Sequence, residues 1–170
     1  TREAENSQNL TEKLDSIVSD FSVRFNELSE SASNTITVVS YTKNKVFASL
    51  AKVDHIIYMQ NGYTLLNGIE EAKAAVAVDH HSCRLGKWYY DGEGAEIFGD
   101  THSFKALEAH HQNVHHYVQQ AVVDDFKYGD DITEYNNSII NSMSKAEDAS
   151  KNVLSSINSM INEKNSLIII

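Results

Sequence analysis

The chain has 170 residues, 41% of them hydrophobic and 22% charged, which is enough for one domain with a buried core. Its formal net charge is -10, with no basic cluster; that excludes a nucleic-acid partner, whose binding requires neutralised phosphates, and docking on anionic lipid. The single cysteine, Cys83, excludes an intrachain disulfide and fits a reducing, cytoplasmic setting.

The chain opens at Thr1 without a Met and without a signal-peptide pattern, which suggests a segment cut from something longer. Proline is absent, and all seven glycines lie between Gly62 and Gly129. With these breakers missing, residues 1–61 and 130–170 are free to form long helices. Leu10, Leu14, Ile17, Phe21, Phe25 and Leu28 step by three or four, the stripe of an amphipathic helix. The following "TITVV" favours strand by propensity, but no turn residue flanks it and no partner strand exists. Residues 36–66 therefore read as helix, with a break near Ser33–Thr35 expected.

Residues 79–90 read as a short helix ended by "DGEG", and 91–101 as a loop. A helix over 102–127 follows, and "YGDD" turns the chain into the last one. Thr133 is its expected N-cap, with Asp130 and Asp131 favourable near the helix start. Ile139, Met143, Ala146, Val153, Ile157, Met160 and Ile161 form the last stripe. The closing "SLIII" is too short to span a membrane and is expected to pack against a partner helix; no stretch approaches the roughly 20 apolar residues of a bilayer span. The expected fold is all-α: a four-helix bundle with long N-terminal and C-terminal helices and no β-sheet. Residues 1–48 form a coiled-coil-like lead-in and 49–170 the bundle.

All eight histidines fall between His55 and His116. His111 and His115, at i and i+4, share one helical face and can reach one cation, whereas His110 and His116 lie off that face and are expected to be exposed. Taken singly, each candidate has an ordinary structural explanation. Such a histidine pair is more often solvated, a lone buried cysteine is usually a small hydrophobe, and His55 in "VDHIIYM" reads as a core histidine. Together they bring nitrogen and sulfur donors from three helices, as tetrahedral zinc requires. On spacing alone His80, His81 and His102 compete with His55.

"HIIYMQNGYTLLNG", "DHHSCRLGKWYYDGEG" and "SFKALEAHHQNVHHYV" resemble the three signature segments of the chemoreceptor zinc-binding domain family, CZB, over about residues 50 to 120. The resemblance implies a homodimeric four-helix bundle holding one Zn2+ per chain. By motif it implies His55, Cys83, His111 and His115 as ligands, with His80 a pattern residue outside that set. Asp79, with Asp54 as competitor, is the expected acceptor orienting an imidazole. Gly86 is expected to allow close backbone approach, and Trp88 with Tyr89 or Tyr90 to pack near the site.

Four protein ligands leave zinc no open position, and "HQNVH" lacks the glutamate of "HExxH" proteases. The expectation is thus a non-enzymatic sensory domain of a cytoplasmic bacterial chemoreceptor. It would respond to zinc or to oxidation of redox-sensitive Cys83, and its partner would be the signalling domain of the same full-length chain. The alternatives are a zinc-inhibited regulatory domain of a diguanylate cyclase and a di-iron oxygen-binding bundle of the hemerythrin kind. The latter lacks a convincing carboxylate pattern, Glu108 being a poor substitute.

Overall fold

A computed structural model of the chain describes residues 2–128 and 132–166. The described residues form helices without a strand: α1 (Arg2–Leu66), α2 (Lys73–Val76), α3 (Arg84–Tyr90), α4 (Gly94–Phe98), α5 (His102–Tyr128) and α6 (Ile132–Ser166), with a 3-10 turn at Glu70–Ala72. The all-α expectation is met. The chain divides into two compact units, Thr1–Asn44 and Lys45–Ile170.

In the first unit the helix runs through Ser33–Thr35 without the expected break. Hydroxyls that could have pulled the backbone away are bonded inside the helix instead: Thr35 Oγ1 donates to the Ser31 carbonyl at 2.8 Å and Thr37 Oγ1 to that of Ser33 at 3.1 Å. The apolar stripe has no cover within the unit. Leu14, Phe21 and Leu28 are 52%, 67% and 67% exposed.

In the second unit three long helices share one packing rhythm. Buried positions in α1 are Ala48, Ala51, His55, Tyr58, Gly62 and Leu65; in α5 they are Phe104, Leu107, His111, Val114, Val118 and Ala121. In α6 they are Met143, Ala146, Ser150, Val153, Ile157 and Met160. Each series alternates steps of three and four, the spacing of a knobs-into-holes seam. Two of the eighteen seam positions are histidines, which an apolar seam would exclude unless the imidazoles had a use.

Direction follows from the ends. Glu163 of α6 accepts from the backbone N–H of His102 at 2.8 Å, capping α5, and Ser138 at the other end of α6 bonds Asp124. Hence α5 and α6 are antiparallel. Lys52 meets Asn158 and Tyr63 meets Glu147, so α1 and α6 are antiparallel too. Gly68, at φ 83°, ends α1 in the left-handed region that favours glycine.

In place of a fourth long helix the chain has the short helices α2 to α4, of which α2 lies against α5, α4 against α6 and α3 against α4. The helix expected over 79–90 begins only at Arg84. Asp79 explains the delay: its Oδ1 accepts from His81 N at 2.7 Å and Ser82 N at 3.0 Å, a local turn that competes with helix. The expected loop 91–101 contains α4. Thr133 sits within the first turn of α6, after Ile132, whereas Asp130, Asp131 and Leu167–Ile170 of the closing "SLIII" lie outside the described residues.

Candidate metal centre

Three side chains converge from two helices. The ligand nitrogens of His55, His111 and His115 all lie within 4.8 Å of one another, and all three residues are buried. Their ring centroids are 5.0 Å apart for His55–His111, 6.4 Å for His55–His115 and 5.0 Å for His111–His115. Cys83 approaches through His111, with its Sγ 3.2 Å from His111 Nε2. Zinc bonds of about 2.3 Å to sulfur and 2.0 Å to nitrogen would set such a tetrahedral edge at about 3.5 Å, close to what is found.

The tautomers are fixed by backbone carbonyls. His55 Nδ1 donates to Ala51 O at 3.0 Å and His115 Nδ1 donates to Val78 O at 2.8 Å. Each Nε2 is then a lone pair without a proton. His55 Nε2 is buried and has no hydrogen-bond partner. An orphaned buried acceptor is costly in a folded protein, and a cation among these donors would satisfy it.

Neither carboxylate expected to orient an imidazole does so. Asp79 is exposed and spends its oxygens on His81, Ser82 N and the Ser82 hydroxyl; those bonds hold its carboxyl below the usual range. Asp54 Oδ2 lies 3.1 Å from Arg84 Nε, an ion pair whose angles miss those of a hydrogen bond. The segment that does the orienting is instead tied by Tyr58 and Gln119. Tyr58 OH donates to Val76 O at 3.2 Å, and Gln119 Nε2 donates to Val76 O at 3.0 Å and Val78 O at 3.3 Å. Tyr58 also packs on His115, ring centroids 4.2 Å apart.

Cys83 is the N-cap of α3, its sulfur accepting from Gly86 N at 3.3 Å. This donor and the helix start favour a thiolate; burial works against it and pushes the metal-free thiol up. A bound cation would reverse that balance. Gly86 makes the cap feasible, since a Cβ there would stand 1.9 Å from His80 O and 2.6 Å from His81 O. Trp88 stacks on Phe47 at 4.5 Å and Tyr89 on Phe104 at 4.2 Å, clamping α3 to α1 and α5 rather than touching the imidazoles. Tyr90 is the one beside the histidines, 4.4 Å from His81 and 6.3 Å from His80. Of the remaining histidines, His102 and His116 are exposed and His110 is half-buried.

Burial keeps the three imidazoles neutral. It lowers His55, lowers His111 to about 2 with help from His55 and His115, and lowers His115 to about 4 against the opposing Val78 bond. Neutral nitrogen is the form that binds metal. A cavity of about 280 Å³ opens beside the group, lined by His55, Cys83 and His115 together with Tyr58, Asn61 and Arg84.

Residues 55–122 match the family model of the chemoreceptor zinc-binding domain, and this segment belongs to that family. It is a zinc-binding regulatory domain of the chemoreceptor type, and zinc is its cofactor. No curated protein and no solved structure matches the chain. No helix among the described residues is long and apolar enough to cross a membrane.

Proposed function

We propose that His55, Cys83, His111 and His115 hold one zinc ion, and that its occupancy and the state of the Cys83 sulfur are the signals this domain passes to a chemotaxis output. The observation that carries this reading is the orphaned His55 Nε2, aimed among His111 and His115 with Cys83 alongside. Three neutral imidazoles and one thiolate complete a tetrahedral set without an open position, so the role is sensory rather than catalytic. Metal binding links α1, α5 and the N-cap of α3. Losing any one ligand therefore changes how these elements pack.

The thiolate is the chemically vulnerable member. Hypochlorous acid can transfer oxygen to it: sulfur gives up two electrons, the sulfur–oxygen bond forms, the oxygen–chlorine bond breaks, and a sulfenic acid and chloride result. The cavity beside Cys83 offers a path for so small an oxidant.

The setting that fits is the cytoplasmic part of a bacterial chemoreceptor acting as a homodimer. Exposed Val46, Leu50, Val53 and Ile57 are spaced by four, three and four, as in a seam awaiting a second helix. The stripe of the first unit has the same need, and a signalling domain in the same full-length chain is the direct recipient.

The test is mass spectrometry of zinc-saturated protein titrated with hypochlorous acid. Oxygen addition at Cys83 at near-stoichiometric oxidant is expected, ahead of Met59, Met143 and Met160. Methionine oxidation with Cys83 untouched would remove the redox input.

A further inference from the structure

His80 stands close to the group without belonging to it. Its ring centroid is 6.0 Å from that of His111 and 6.4 Å from that of His115. The three clustered imidazoles are themselves 5.0 to 6.4 Å apart, so His80 already lies at ligand-like spacing from two of them. It is half-buried.

The backbone that carries it is fixed. Ser82 N and Cys83 N both bond Asp79 O, at 3.2 and 3.3 Å, while Asp79 Oδ1 takes His81 N. Gly86 brings α3 against the carbonyls of His80 and His81, where a Cβ would not fit. The same turn places Cys83 Sγ 3.6 Å from His80 O. Thiol and imidazole are thus offered from one rigid turn to one side of the cluster, and exchanging them requires a side-chain rotation rather than a rebuilt loop.

We propose that His80 is a standby zinc ligand: when Cys83 leaves the coordination set, His80 joins His55, His111 and His115 and keeps the metal in an all-imidazole site. This rests on the four-ligand reading above. Nitrogen in place of sulfur remains within the ordinary zinc donor set. Oxidation of Cys83 would then rotate the Cys83 and His80 side chains and alter the sulfur cap of α3 while zinc is retained, so the domain would report an oxidant without surrendering its metal. His81 is the control: it is exposed, and its ring stacks on Tyr90 at 4.4 Å and lies 4.0 Å from that of His80, next to the standby ligand but outside the cluster.

The experiment uses cobalt(II) as the probe on the full chain, with absorption spectra and competition titrations. Wild type should show a thiolate-to-cobalt charge-transfer band. Cys83→Ala should lose that band, keep the intense visible bands of four-coordinate cobalt, and bind about tenfold to a hundredfold more weakly. Adding His80→Ala or His80→Gln to Cys83→Ala should weaken binding by a further factor of about ten and drop the visible bands to the intensity of a higher coordination number. Adding His81→Ala should change little. Equal binding by Cys83→Ala with and without His80 would overturn the standby role. A loss from His80→Ala in the Cys83-containing protein as large as that from Cys83→Ala would overturn it differently, by making His80 a resident ligand. A wild type without a charge-transfer band would instead defeat the four-ligand reading itself. Circular dichroism of each variant separates these outcomes from misfolding.

Discussion

Cys83 Sγ lies 3.2 Å from His111 Nε2, a contact between α3 and α5 that stands beside the Tyr89–Phe104 stack. Cys83 is the cap of a seven-residue helix and His111 a seam position of a 27-residue helix. The contact therefore reports on the packing of α3 against α5, and a metal that fixes it fixes that packing.

Gly86→Ala should disrupt this relationship from outside the ligand set. The added methyl would meet the His80 carbonyl at 1.9 Å, and a backbone oxygen cannot swing aside. A loss of about 2–3 kcal/mol in chemical denaturation is expected, as for other overpacked sites, with weaker zinc binding. Stability within about 0.5 kcal/mol of wild type would show that the turn has room to move.

Gln119→Ala tests the ties that orient His115. Without the bonds from Gln119 Nε2, the Val76–Val78 segment loses two of its restraints and the His115 tautomer is less firmly set. Zinc affinity should fall about tenfold, the lower range for losing such support, while helicity is unchanged. An unaltered affinity in a chelator competition would show that Tyr58 suffices.

The metal-free domain should be acid-sensitive in a defined window. His115 is depressed from 6.5 to about 4, and His55 and His111 shift in the same direction. Below the unfolded value the unfolded chain takes up protons that the native state refuses, so stability is intact above about pH 6.5 and falls as pH drops toward 4. His115 alone accounts for up to about 3 kcal/mol across that range. Thermal melts of chelated protein should show this slope, reduced in His115→Gln. A flat profile from about pH 7 to 5 would contradict the burial of neutral imidazoles.

The exposed stripe in the second unit should drive self-association. Leu50→Glu with Ile57→Glu places charges where the seam would be buried, and sedimentation should show the dimer weakened by at least about tenfold. A monomeric wild type at micromolar concentration would remove the homodimer from the account.

Much of the fold was legible because its cause is negative. Without proline, and with glycine confined to the middle, little other than helix was available to the flanks. The histidine pair was legible because i and i+4 share a face. What escaped is carried by groups without a side-chain signature. Ala51 and Val78 orient the imidazoles through carbonyls, and no residue pattern announces a carbonyl. Carboxylates were the visible candidates, but Asp79 lies in a turn whose own N–H groups claim it. Trp88 drew notice by rarity, although Tyr58 is the ring on His115; its spacing of three from His55 was the signal that could have found it.

The most direct measurement is zinc per chain by plasma mass spectrometry after equilibration against a chelator that wild type withstands, for wild type, Cys83→Ala and His111→Ala. The account predicts about one zinc in wild type, a sharply reduced content in Cys83→Ala, and next to none in His111→Ala. Undiminished zinc in both variants, or none in the wild type after zinc has been supplied, would contradict it.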